Sequence, residues 1–261
     1  MNRIKMSFTF LGTGTSQGVP VIGCDCPVCT SDNPRDNRLR TAALISQADT
    51  HIAIDAGPDF RQQMLRAKIN DLEAILFTHA HSDHTAGLDD VRPINFRHQK
   101  FMPLYATSSV QADLRQRFAY AFDEDPYPGA PRLSFQTISK EETFEIKGIK
   151  FQPIEISHGG DTKVLGFRIG QLTYITDCKS IDSTEFEKIK GSQFLIINAL
   201  HHNEHPSHLN LAQALAIVAD AKPEQAFFTH ISHNMGLYHL VNGRLPPHVS
   251  LAYDGLRFEF E

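Results

Sequence analysis

The sequence predicts a layered α/β domain, and three observations carry that reading. Short apolar, β-rich runs recur from Ser7 to Phe260, helix-like stretches interrupt them, and strand-like runs stand near both ends. No internal repeat, low-complexity tract or long polar linker divides the 261 residues, so a single domain over 1–261 is expected. A chain of this length buries about 70–75% of its extended surface and needs no disulfide staples.

The strand-like runs are Ser7–Leu11, Ala42–Ser46, His51–Asp55, Glu73–Thr78, Met102–Ala106, Lys150–Ser157, Val164–Ile169, Leu172–Thr176, Gln193–Asn198, Gln225–Thr229 and Leu256–Phe260. Helix-like stretches cover Pro58–Ala67, Ser108–Ala119, Asp182–Lys190 and Leu211–Ala221. Before the last of these, Asn210 stands in N-cap position with Gln213 three residues on, the pattern of a capping box. Two segments read as surface loops. Phe122–Pro131 is rich in turn formers and acidic residues, and Asn33–Arg40 carries Arg35, Arg38 and Arg40, which would suit an anionic substrate if that loop bordered the active site.

Hydrophobic content of 41% and charged content of 21% are those of an ordinary soluble protein. A net charge of −5 argues against extensive, charge-driven nucleic-acid binding. Met1–Met6 leads toward a strand without an apolar signal core, and no stretch approaches the roughly 20 apolar residues that span a bilayer. No membrane association is therefore expected, and a cytoplasmic location is. Three of the four cysteines crowd into Cys24-Asp25-Cys26-Pro27-Val28-Cys29; in a reducing compartment such spacing reads as metal binding.

The densest chemistry lies at His79-Ala80-His81-Ser82-Asp83-His84, directly after the apolar run Glu73–Thr78. Imidazoles and a carboxylate crowded at a strand end are a ligand set for zinc, manganese or ferrous iron. Alternate residues point to opposite sides of an extended chain, which suits two neighbouring metals better than one. Further apolar runs end in Ser157-His158, Thr176-Asp177-Cys178 and Thr229-His230. Strand ends of a common sheet converge on one edge, where α/β proteins place their active sites.

This series closely resembles the metallo-β-lactamase superfamily: a strand-end Asp, then His-x-His-x-Asp-His, a lone His, a lone Asp and a final His. The positions here are Asp55, His79, His81, Asp83, His84, His158, Asp177 and His230. The resemblance implies an αββα four-layer sandwich with a dinuclear centre, two divalent ions (Mn or Zn) held in a cleft. It puts His79, His81 and His158 on one ion and Asp83, His84 and His230 on the other, with Asp177 bridging and Asp55 orienting a ligand histidine. Cys178 beside Asp177 is the alternative ligand if the register slips by one residue.

A narrower resemblance, to the PhnP-type phosphodiesterases related to tRNase Z, lies in Phe10-Leu11-Gly12-Thr13-Gly14-Thr15-Ser16-Gln17-Gly18-Val19-Pro20 and the cysteine cluster that follows. It implies a structural zinc held by Cys24, Cys26, Cys29 and His233, tying the N-terminal loop at about 24–29 to the last active-site strand. It also implies a catalytic histidine outside the metal shell, within His201–His208. His208, closest to the helix start, is the expected general acid and His205 the alternative. The activity implied is hydrolysis of a small or cyclic anionic phosphodiester by a metal-bridged hydroxide, with Asp83 and Asp55 supporting the reacting centre and the pocket bordered by Asp89, Asp90 and Arg92. Relatives of this kind imply a homodimer. Rival readings are a tRNA 3′-processing endonuclease, a thioesterase of the glyoxalase II kind, and a non-hydrolytic PqqB-like accessory protein.

Overall fold

Strands that are apolar at every position, rather than at alternate positions, need cover on both faces. The computed structural model supplies it. It describes residues 5–261; residues 1–4, where the reading for an export signal begins, lie outside the described residues. The first half contributes β1 (Met6–Gly12), β2 (Ala42–Gln47), β3 (Thr50–Ile54), β4 (Ala74–Leu76), β5 (Met102–Ala106) and β6 (Leu133–Thr137), with helices α1 (Phe60–Ala67), α2 (Ser82–Thr85), α3 (Arg92–His98) and α4 (Ser108–Arg117) between them. The second half contributes β7 (Phe144–Ile146), β8 (Ile149–Ser157), β9 (Lys163–Ile169), β10 (Leu172–Tyr174), β11 (Phe194–Asn198), β12 (Gln225–Thr229), β13 (Val249–Leu251) and β14 (Arg257–Phe260), with α5 (Ser183–Glu187), α6 (Leu211–Ala221) and α7 (Tyr238–Asn242).

Among the described residues these strands form two seven-stranded sheets, ordered β14-β1-β2-β3-β4-β5-β6 and β13-β12-β11-β10-β9-β8-β7. Each sheet is antiparallel on one side and parallel on the other: β3-β4-β5-β6 and β10-β11-β12-β13 run parallel. One core lies between the sheets, built on Phe8, Phe10, Phe151, Phe167 and Tyr174. A second core lies between the first sheet and its helices, and a third between the other sheet and its helices. Helix, sheet, sheet, helix is the αββα sandwich. Strand β14 returns to pair with β1 from Met6↔Phe260 to Thr9↔Arg257 and forms that sheet's edge.

The strands read from sequence all form, within two or three residues at their ends. Three were missed, β6, β7 and β13, being short or lying near sheet edges where burial is partial. Helices α2, α3 and α7 were also missed; α2 is a single turn in which Asp83 and His84 belong to the metal motif. The capping box at α6 is present in both directions, Gln213 N–H to Asn210 Oδ1 at 2.9 Å and Asn210 N–H to Gln213 Oε1 at 3.1 Å.

Phe8 joins the sheets: fully buried, its ring lies 4.8 Å from Phe10 and 5.8 Å from Tyr174 of the facing sheet. Replacing it with alanine removes the ring and leaves a cavity, so Phe8→Ala lowers stability to urea by about 3–5 kcal/mol. A loss below about 1 kcal/mol would show that the sheets are held elsewhere.

Candidate metal centre

The parallel strands β3, β4, β10 and β12 deliver Asp55, His79, Asp177 and His230 just past their carboxyl ends. Asp55, Asp177 and His230 have φ of 67°, 54° and 55°, the left-handed region that costs a non-glycine residue about 1–3 kcal/mol. The remaining non-glycine residues with positive φ among those described are Ala48, Lys68, Gln99, Lys147 and Lys222, in hairpin turns or at helix C-caps, where such backbone is ordinary. Left-handed backbone at a strand end breaks the ladder and turns the side chain off the sheet. Gly57 then lets the β3 loop pass against α2: a Cβ there would sit 1.9 Å from the Asp83 carbonyl oxygen. Ala56 N–H donates to His84 O at 2.8 Å, fixing the two loops together.

Two groups of donor atoms result, His79, His81, His158 with Asp177, and Asp83, His84, His230 with Asp177; within each group all atoms lie within 4.8 Å of one another. Asp177 belongs to both. Its Oδ2 stands 3.6 Å from His79 Nε2 and 3.6 Å from His158 Nε2, while its Oδ1 stands 3.5 Å from His84 Nε2 and 3.2 Å from His230 Nε2. Asp83 Oδ2 closes the second group at 3.2 Å from His84 Nε2 and 3.6 Å from His230 Nε2.

The fit to divalent ions is chemical as well as geometric. His79 Nε2, His84 Nε2 and His230 Nε2 are buried without a hydrogen-bond partner, although carboxylate oxygens stand close by. Donors about 2.1 Å from a shared tetrahedral ion lie about 3.4 Å apart, which is the spacing found. The far nitrogens of His84, His158 and His79 are tied down, while Nδ1 of His230 is buried without a partner. His84 Nδ1–H donates to Asp55 Oδ2 at 2.7 Å, His158 Nδ1–H donates to Ser207 O at 2.9 Å, and His79 Nδ1–H donates to Thr78 Oγ1 at 3.0 Å, whose own hydroxyl donates to Asp55. Each bond leaves an Nε2 lone pair facing the cluster. Asp55 therefore touches two histidines, one directly and one through Thr78, and points away from the reacting space.

Without ions, protons balance the charge. Burial would raise Asp177 and Asp83, but His230 and His84 for the first, and chiefly His84 for the second, hold both carboxyls far below the usual range. Burial alone would lower His84, yet Asp177, Asp55 and Asp83 outweigh it and pull the imidazole well above its ordinary value. His79 is driven well below by burial and then by His84. Ions held by these residues would take the place of that proton.

His208 lies outside both groups, its ring 4.7 Å from His158 and 4.7 Å from His230. His205 is one ring further out, 5.1 Å from His208, and His201 lies 6.0 Å beyond it. Cys178 does not face the centre: it packs with Ile175, Leu209 and Ile197 in the third core, where burial drives its thiol pKa upward. The three arginines of the 33–40 loop, which would suit an anion if that loop bordered the site, have other partners. Arg40 pairs with Asp59 at 3.0 Å, Arg38 is buried with bonds to Thr13 Oγ1 and Ala252 O, and Arg35 lies over the Tyr238 and Tyr253 rings. Asp89 likewise pairs with Arg92 and Tyr120.

The cysteine cluster meets His233, the partner that the PhnP-type resemblance implies. Its Nδ1 stands 3.3, 3.4 and 3.5 Å from the sulfurs of Cys24, Cys26 and Cys29, a closed set of four donors. The thiols differ: the Cys29 backbone N–H lowers Cys26 to about 6, while burial raises Cys29 to about 11. In metal-free protein at pH 7, iodoacetamide should therefore alkylate Cys26 before Cys29, since only a thiol whose pKa lies below the pH is mostly thiolate. Peptide mapping that finds Cys29 modified first would refute this ordering.

Known proteins fit this geometry. The beta-lactamase superfamily domain matches residues 50–231. An octanoyltransferase of Porphyromonas gingivalis (strain ATCC BAA-308 / W83) is 40% identical over 253 residues, covering 96% of this chain and 51% of that protein. The chain spans about half the length of the curated relatives it matches. Zinc-bound PqqB from Methylobacterium extorquens shares the fold at a TM-score of 0.80 and 20% identity, covering 97% of this chain and 99% of that one. The crystal structure of a new diphosphatase from the PhnP family superposes with a TM-score of 0.92 at 38% identity, covering 98% of both chains. Identity of that order along nearly the whole of both chains means that this protein belongs to the metallo-β-lactamase superfamily and, within it, to the PhnP family.

Proposed function

We propose that the protein is a dinuclear metallohydrolase that cleaves small or cyclic anionic phosphodiesters, with His208 as general acid. The observation that carries this reading is an imidazole held against two ligand rings yet outside both donor groups. His79, His81, His158 and Asp177 would hold one divalent ion, Mn or Zn, and Asp83, His84, His230 and Asp177 the other; Cys24, Cys26, Cys29 and His233 would hold a structural zinc. Bound there, a divalent pair supplies Lewis acidity and a water-derived nucleophile at neutral pH.

The chain's own residues do the rest. Asp55 and Thr78 hold His84 and His79 in the tautomer that leaves Nε2 free to bind. Burial, and then His230, lower the His208 pKa to about 2. A phosphate anion against the ring favours its protonated form, so His208 gains its proton together with the substrate and passes it to the departing oxygen.

A second reading has its own support: the PhnP-family relative is described as a diphosphatase. A phosphate leaving group is far less basic than an alkoxide and needs less protonation, so the two readings separate on His208. Acyl transfer is disfavoured because the buried Cys178 offers no exposed nucleophile near the centre, and the match leaves half of that octanoyltransferase outside this chain. The acidic net charge disfavours tRNA processing.

With an alkyl phosphodiester, His208→Ala should lose about 10²–10⁴-fold in kcat. With a nitrophenyl diester the loss should be much smaller. Equal losses on both would remove the general-acid role, and faster turnover of a diphosphate than of any diester would favour the second reading.

A further inference from the structure

We infer that Asn198, at the end of β11, is the positioning residue that aligns the bridging carboxylate Asp177 with His208 and His230. Strands β10 and β11 pair in parallel as far as Tyr174↔Ile196, with Ile175 N–H donating to Ile196 O at 2.8 Å. Asp177 then turns into left-handed backbone and the ladder ends. The Asn198 side chain continues the pairing. Its Oδ1 accepts the Cys178 N–H at 2.6 Å and its Nδ2 donates to Cys178 O at 3.0 Å, one donor and one acceptor as a peptide group would offer.

The same carbonyl oxygen of Cys178 accepts Leu209 N–H at 2.8 Å, the residue after His208. Asn198 itself stands opposite Thr229 in the β11–β12 register, and Ala199 N–H donates to Thr229 O at 3.0 Å, the residue before His230. The Asn198 amide thus clamps the residue after Asp177 directly, shares the Cys178 carbonyl with the residue after His208, and belongs to a residue paired in the ladder with the one before His230. Asn198 is fully buried after the apolar run Phe194-Leu195-Ile196-Ile197. A polar side chain there is costly unless its hydrogen bonds are met, and these two bonds meet them.

A buried asparagine whose bonds reach no residue of the centre gives the control. Asn95 in α3 is equally buried and clamps backbone in the same manner, donating to Lys100 O and Arg132 O and accepting Arg132 N–H. The inference rests on the metal centre proposed above, so manganese content and chelator competition are measured first on the wild-type chain, which tests that reading alone. Asn198→Asp, Asn198→Ser and Asn95→Asp are then compared with wild type for melting temperature and manganese affinity. All three should melt earlier. Only the Asn198 variants should bind manganese about 10–100-fold more weakly, the cost typical of losing a group that orients ligands. Wild-type affinity in a folded Asn198 variant, or an equal loss in Asn95→Asp, would overturn the inference.

Discussion

One buried carboxylate, with each oxygen turned toward a different cluster of imidazoles, is the constraint on which the rest of the centre depends. Asp177 is almost wholly enclosed, and a lone anion in that position would be strongly unfavourable. Positive charge beside it is what makes its burial tolerable. Without ions, the raised His84 imidazole favours that charge beside Oδ1, while His79 beside Oδ2 is driven toward its neutral form; the two adjoining donor groups would let ions supply charge at both oxygens. The site is therefore shaped for positive charge before any ligand arrives.

The sandwich provides this arrangement through its parallel strands. Asp55 follows β3 and Asp177 follows β10, which occupy matching places in the two sheets, each being the first strand of the parallel side. Both leave the ladder through left-handed backbone, as His230 does after β12. Strain at three ligand-bearing or ligand-orienting positions is offset by the surrounding ladders and by the interior packed against them. The cysteine set with His233 fastens the N-terminal loop three residues beyond His230, so the same strand end is anchored from both sides.

Much of the centre was legible in the sequence because ligand chemistry is written in residue types. Histidines and aspartates after apolar runs identify themselves, and the structure brings all seven together in two groups sharing Asp177. Cys178 shows the opposite case: a residue next to a ligand, of a type able to bind metal, whose side chain packs into the interior. For the arginines of the 33–40 loop the sequence left an anion role conditional, because charge composition does not reveal which partners the fold supplies; Asp59, Thr13 and two tyrosine rings take them up. Asn198 carried no motif at all. Its one signal was an amide at the end of a wholly apolar run, and its role depends on strand register, which only the folded chain defines.

If Asp177 joins two ions as proposed, electron paramagnetic resonance of the manganese-loaded protein will show it. Two manganese ions bridged by a carboxylate couple magnetically and lose the six-line spectrum of an isolated ion. The wild-type protein should give a coupled spectrum, which should collapse to isolated-ion signals in Asp177→Ala. A wild-type spectrum of isolated ions alone, or coupling that survives the substitution, would contradict it.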